Sequence, residues 1–236
     1  MSRHKKLHGS QTGFTLVELM ISTLAFSIVL LGATSALIQV GRMYFKGYIG
    51  SLTQQTTRSV IDNVSRQIQF GSSSVFSGTQ VYGTGPDQVT VDSRCVGNQR
   101  YSYTLNRQVS DDPVLNGTVD LTNSRMRHAL WRDIVNDTEA ATCTPQDLRQ
   151  DQPSTGKEGV ELLGQHMRLK NFNVVQQSGT PEELWNVSVA VIYGDDDLII
   201  FTDPGNKTGP ISCTGLSGSQ WCSLSELNTQ VLRRLR

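Results

Sequence analysis

Three sets of residues have types and spacings that could do chemistry. The first holds a lone carboxylate. Glu18 stands in Gly13-Phe14-Thr15-Leu16-Val17-Glu18, at the lip of a long apolar run. An ionised acid at membrane depth is costly and needs a partner, which marks it as functional; the plainer alternative leaves its carboxylate among lipid headgroups. The second set is Cys95, Cys143, Cys213 and Cys222. Four thiols allow three pairings, and spacing does not choose among them. Cys213–Cys222 is favoured because it closes a short loop containing Gly and Ser, and Cys95–Cys143 then follows by elimination. Zinc is a poor rival, because there is no CxxC pair and the only histidines after Gly13 are His128 and His166. The third set is Asp195, Asp196 and Asp197, with Asp203 and Asn206 soon after. Hard cations take such oxygen donors, so these are candidate calcium ligands. Their order is not that of an EF-hand, and a tight turn between Tyr193 and Leu198 accounts for the same residues.

The element that must position Glu18 is apolar and long. Leu19 to Ile38 is twenty residues without a charge or a proline. Roughly 20 helical residues at 1.5 Å each cross the ~30 Å hydrocarbon layer. Before it, residues 1–13 carry Arg3, Lys5 and Lys6 and no acid. A basic flank of this kind holds the N-terminus in the cytoplasm and sends the remainder outward; Arg42 and Lys46, beyond the run, count slightly against it. A secretory signal has a shorter apolar core, although Ala33-Thr34-Ser35-Ala36 could imitate its cleavage site. The whole chain has 21 basic and 21 acidic residues, so neutrality gives no electrostatic reason to expect nucleic acid as a partner. Without the three leader cations the balance is 21 − 3 = 18 against 21, mildly acidic.

Gly13-Phe14-Thr15-Leu16-Val17-Glu18, with its basic leader and apolar helix, closely resembles the processing motif of type IV prepilins and type II secretion pseudopilins. The resemblance covers the first fifth of the chain and implies the following. A membrane prepilin peptidase, also the N-methyltransferase, cuts after Gly13 and methylates the amine of Phe14. Glu18 matches the family's acidic residue, and in a filament it would meet the amine of a neighbouring subunit. That amine has a reference pKa of about 8, so it is mostly cationic at neutral pH, and methylation keeps the charge. The other implied partners are further pilins or pseudopilins, the inner-membrane assembly platform, and the lipid bilayer before assembly. The implied location is the cytoplasmic membrane, single-pass with an exported head, and then a pilus or pseudopilus.

Past the apolar run, Ile49, Leu52, Thr56, Val60, Val64 and Ile68 recur at three- and four-residue spacings, which predicts an amphipathic continuation ending near Gln69 to Gly71. Unbroken from Phe14 to Phe70, the helix would be about 85 Å long. Gly71 to Pro86 reads as a loop, and Asp111 to Pro113 and Gln150 to Gly156 as turns or surface loops. Strand candidates are Val89 to Val91, Tyr101 to Leu105, Met126 to Trp131, Met167 to Val175, Val187 to Tyr193 and Leu198 to Phe201. Leu224 to Arg236 reads equally as a short helix or an edge strand. The fold expected is α+β, a long helix whose second half packs on an antiparallel sheet. Its divisions are a leader (1–13), a membrane or filament-core helix (14–38), the amphipathic continuation (39–70) and a disulfide-containing β-rich head (71–236).

The function expected is structural: a subunit, minor more than abundant, of a type IV pilus or type II secretion pseudopilus, with no catalysis of its own. Rival readings are a filament-surface adhesin or DNA-uptake module and, less favoured, an anchored exported enzyme. For the first, Arg125, Arg127 and Arg132 stand near Trp131, but Asp133 and Asp137 suggest a salt-bridged face. For the second, no nucleophile motif, GxGxxG or P-loop string occurs, and His166 and Glu161 would meet only by accident of folding. Trp221 is either an adhesive contact or, as preferred, local core over the Cys213–Cys222 bridge.

Overall fold

Thr15 starts the first helix. Its side-chain Oγ1 accepts the Glu18 amide N–H at 3.2 Å, so one donor that a helix start leaves without a partner is satisfied. In this computed structural model, which describes residues 13–71, 75–83, 88–110, 117–119, 127–150, 152–154, 158–177, 184–203, 208–215 and 218–234, helix α1 runs Leu16–Phe70. The chain divides into two compact units, Met1–Tyr44 and Phe45–Arg236. The leader expected over residues 1–13 lies outside the described residues except for Gly13.

In the first unit the helical side chains are almost all exposed, and they include Leu19, Leu24, Phe26, Val29 and Leu31. The helix is long and apolar enough to cross a membrane. Its polar side chains fold back on it. Ser22, Ser27 and Thr34 donate to the carbonyls of Glu18, Thr23 and Leu30, each at 2.8 Å, and Thr23 donates to Met20 at 2.9 Å. These four hydroxyls can therefore enter hydrocarbon without an unsatisfied donor.

In the second unit the same helix buries Ile49, Thr53, Thr57, Val60, Ile61, Val64 and Ile68. The expected stripe is right at Ile49 and at its distal end and turned between them, where Thr53 and Thr57 are buried and Leu52 and Thr56 lie at the margin. Burying two threonines is tolerable because each hydroxyl donates to a carbonyl four residues back, at 2.8 Å.

The strands are β1 (Phe76–Tyr82), β2 (Val89–Val96), β3 (Gln99–Tyr103), β4 (Gln108–Ser110), β5 (Gly117–Val119) and β6 (Leu130–Ile134), then helix α2 (Asp137–Thr142), β7 (Gly159–Glu161), β8 (Met167–Gln176), β9 (Leu184–Tyr193), β10 (Ile199–Asp203), β11 (Thr208–Cys213) and β12 (Ser223–Leu232). They make two five-stranded antiparallel sheets, ordered β1-β2-β3-β6-β7 and β12-β9-β8-β4-β5, with a β10-β11 ribbon. One core joins α1 to both sheets: Val60, Val64 and Ile68 pack with Tyr101, Tyr103 and Leu130 of the first sheet and with Leu169, Phe172, Val189 and Val191 of the second. This is the α+β, pilin-like arrangement expected, with two sheets in place of one.

One local expectation changes and two others are settled. Gly71 to Pro86 is not all loop, since residues 76–82 form β1, an edge strand with almost no buried side chain. Leu224 to Arg236 takes the strand alternative, as β12 pairs with β9 from Ser223↔Tyr193 to Leu232↔Leu184. The imperfect alternation at Met167, Leu169 and Phe172 comes from a register shift between Leu169 and Asn171, where one extra residue returns Phe172 and Val174 to the core face. Of the expected turns, Asp111 to Pro113 lies outside the described residues, and within Gln150 to Gly156 the buried Ser154 hydroxyl accepts the Trp131 Nε1–H at 2.8 Å.

Candidate functional site

The three sets of residues singled out in the sequence fall in different units. Gly13, Phe14 and Glu18 belong to the first unit, and the cysteines and the acidic run belong to the second.

Gly13 has no structural reason to be glycine in the folded chain. A Cβ built there meets nothing within 4 Å, and its backbone is not in the left-handed region. Gly78 and Gly159 differ, because a Cβ at either would lie 2.1 Å from the Cys143 carbonyl oxygen or 2.4 Å from the Trp131 ring. Phe14 is 81% exposed. Glu18 is exposed in the first turn of α1. Its amide is held by Thr15, but among the described residues its carboxylate has no hydrogen-bond or ion-pair partner. Among the described residues the segment thus presents an unconstrained glycine, an exposed aromatic and an unpaired acid beside a twenty-residue uncharged run.

The thiols form two bridges, Cys95–Cys143 and Cys213–Cys222, with 48 and 9 residues of sequence separation. Chain-entropy reasoning gives the wider loop more stabilisation, about 4 against about 2.5 kcal/mol. Cys95–Cys143 ties β2 to the end of α2 in a small cluster with Val135 and Ala140. The six-residue helix α2 is set by a reciprocal cap: the Asn136 side chain accepts the Glu139 amide, and the Glu139 side chain accepts the Asn136 amide. Cys222 is buried with Ile192, Ile199 and Ile211. Trp221 is not core: it is 40% exposed, and its ring centroid lies 4.6 Å from that of Phe45.

The acidic run holds the second sheet together. Arg168 of β8 is fully buried. Its guanidinium donates to Gln108 Oε1 and Asp196 Oδ1 at 2.7 Å, to the Gly194 carbonyl at 3.1 Å and to the Asn106 carbonyl at 3.2 Å. Asp195 accepts from Gln108 Nε2 and lies 2.9 Å from His166 Nδ1. The turn after β9 is thereby fastened to β4 and β8, and a cation at these acids would compete with Arg168 and His166. Asp197 sits in a short 3-10 turn, Asp203 ends β10, and Asn206 lies outside the described residues. Among the described residues no group of three His, Cys, Asp or Glu side chains could hold a metal ion.

Burial pulls the Asp195 carboxyl up, but hydrogen bonds from His166 and Gln108 and the nearby positive charges outweigh it, and its pKa lies below the usual carboxylate range. A carboxyl depressed on folding contributes stability that is complete above the unfolded value and is lost as pH falls through the folded one. Asp195→Asn is therefore expected to lower stability at neutral pH and to flatten the fall in Tm on acidification. The check is a Tm series from neutral pH to pH values under the carboxylate range; parallel wild-type and mutant curves would contradict it.

The remaining candidates scatter. His166 meets Asp195, and Glu161 accepts the amides of Ala129, Leu130 and Leu163 and lies 3.4 Å from His128 Nδ1, so the two do not face each other. Arg125 is outside the described residues. Asp133 does not offset Arg132; it is buried in an ion pair with Arg100 of the neighbouring strand. No sequence signal identified Arg100 or Arg168, since a lone arginine in a strand reads as a surface residue.

Residues 9–34 match the family model described as the prokaryotic N-terminal methylation motif, the type IV prepilin-type signal. That motif indicates a structural subunit, processed by a prepilin peptidase and assembled with other pilins. No curated protein and no solved structure matches the chain.

Proposed function

We propose that this chain is a minor subunit of a type IV pilus or type II secretion pseudopilus. It is cut after Gly13, methylated at Phe14, held in the cytoplasmic membrane by residues 14–38 with its head exported, and then transferred into the filament. The observation that carries the reading is the bare N-terminal segment. Among the described residues of their unit its apolar side chains have nothing to pack on, and Glu18 at their start has no partner. A soluble chain would bury such a surface. Lipid covers it before assembly, and neighbouring helices cover it afterwards. The glycine supports the same reading: nothing among the described residues requires it, in keeping with a requirement set by an enzyme that must reach the bond after it. The size of the head and its two bridges favour a minor subunit.

Mass analysis of the protein from its native cells tests this. The expected mature species begins with N-methylated Phe14. Gly13→Val is expected to leave the head's Tm unchanged and to stop processing, so that the leader persists. A wild-type protein retaining Met1 would overturn the reading.

A further inference from the structure

We infer that the turn closed by the Cys213–Cys222 bridge is a membrane-interface anchor, in which Trp221, Phe45 and Tyr48 rest in the headgroup layer of a phospholipid bilayer. The inference rests on the membrane reading above and adds a surface of the head to it.

Three aromatics of the second unit are 40% exposed or more: Phe45 at 42%, Tyr48 at 58% and Trp221 at 40%. Phe45 opens the stripe that continues through Ile49 and Thr53, but where those residues are covered by the head, the ring of Phe45 meets the ring of Trp221. Aromatic rings with a polar handle are the side chains that settle at the boundary between hydrocarbon and water. In sequence, Phe45 follows Ile38, the end of the uninterrupted apolar run, by seven residues, and Lys46 stands beside it. At 1.5 Å per helical residue that is ~10 Å, the scale of the polar layer outside the ~30 Å core. Side chains on a helix lean toward its N-terminus. At Phe45 and Tyr48 that is the side on which Ile38 and the apolar run lie in sequence.

The turn bearing Trp221 is built to be stiff. Gly218 has a φ of 106°, open to glycine and strained for other residues. The Trp221 amide donates to the Gly218 carbonyl at 2.8 Å, and Cys222, bridged to Cys213, follows directly. A Cβ at Gly50 would lie 3.8 Å from the Ser223 hydroxyl, so the strand leaving the turn touches α1 one turn beyond Phe45. The bridge thus keeps one large aromatic beside Phe45, which in sequence stands seven residues after the apolar run ends. This gives the short loop a task beyond stability: it orients the head on the membrane before extraction.

The two other tryptophans serve as controls. Trp131 is 7% exposed, and Trp185 is partly exposed at the far end of β9. Ser223 pairs with Tyr193, eight residues along β9 from Trp185, which is about 27 Å at strand rise. The test uses the full chain labelled with 5-fluorotryptophan in phosphatidylcholine–phosphatidylglycerol nanodiscs, with a nitroxide on a fraction of the lipid headgroups. Trp221→Phe assigns the third resonance. The expected result is that Trp221 loses most of its 19F intensity while Trp131 and Trp185 keep theirs. Equal loss at Trp221 and Trp185, in protein that stays in the discs, overturns the anchor and leaves the membrane reading standing. Protein not retained in the discs overturns both.

Discussion

Glu18→Ala is expected to leave the Phe45–Arg236 unit folded and to cut filament incorporation by about a hundredfold or more, the scale for stranding the partner of a buried charge pair. The first half of this follows from what Glu18 touches. It is exposed, its amide is capped by the Thr15 hydroxyl, and its carboxylate has no partner among the described residues. Losing an acid from the first turn of a helix costs only ~0.3–1 kcal/mol of macrodipole interaction. The second half follows from what the filament core must do with the freed amine of Phe14. In a low-dielectric bundle that cation needs an anion, and Glu18 is the only acid in residues 14–61. Glu18→Gln separates charge from shape: it keeps the size of the side chain and one of its two acceptor oxygens, loses the charge, and is expected to fail as well. The measurements are the head's Tm and the mutant fraction in sheared filaments. Normal incorporation of Glu18→Gln would remove charge pairing from the mechanism.

The N-terminal half of this account was legible because its signals are local. A cleavage motif, an uncharged run and a helical stripe are each read within a few turns of chain, and α1 ends at Phe70, inside the window expected. Strands β8 and β9 were legible because they are long and apolar. Strand β1 was not. Its Ser, Gly and Thr residues carry no hydrophobic alternation, because an edge strand with little buried surface needs none. It is held by its register with β2, Phe76↔Cys95 to Tyr82↔Val89, and by the close approach of Gly78 to Cys143. Helix α2 did have a signal, the Asn136-x-x-Glu139 capping box, in a segment too short to show a period. In β12 the inward positions include Ser225 and Thr229, so its alternation is masked by polar residues. The buried charges were the least visible part. Arg100 and Asp133 are 33 residues apart in sequence and become neighbours only when β3 pairs with β6.

That ion pair carries the other large expected effect. Asp133→Ala is expected to destabilise the head by about 3–5 kcal/mol, the cost of leaving a buried guanidinium without its anion. At ~2–4 °C per kcal/mol for a domain of this size, Tm falls by about 6–20 °C. The pair is enclosed, with side chains 7% and 0% exposed. Arg100 Nε lies 3.0 Å from Asp133 Oδ1, its Nη1 donates to the Thr144 carbonyl at 2.8 Å, and Gln146 Nε2 donates to Asp133 at 3.1 Å. Cys95 lies opposite Arg100 and Arg100 opposite Asp133, so one row across β2, β3 and β6 holds the disulfide and the pair. Thr144 and Gln146 directly follow Cys143, which means the pair and the bridge clamp the same segment onto the sheet. Removing the carboxylate leaves the bridge intact and the cation buried, so the penalty is electrostatic and does not depend on losing the loop. Arg100→Met combined with Asp133→Leu removes both charges and keeps the branched outline at position 133, and it is expected to recover most of the lost stability. The measurement is thermal unfolding of the detergent-solubilised full chain, followed by circular dichroism. A single mutant within ~1 kcal/mol of wild type would mean that water reaches Arg100 and that the pair is no more than a surface contact. A double mutant no better than the single would mean that packing, and not the stranded charge, sets the cost.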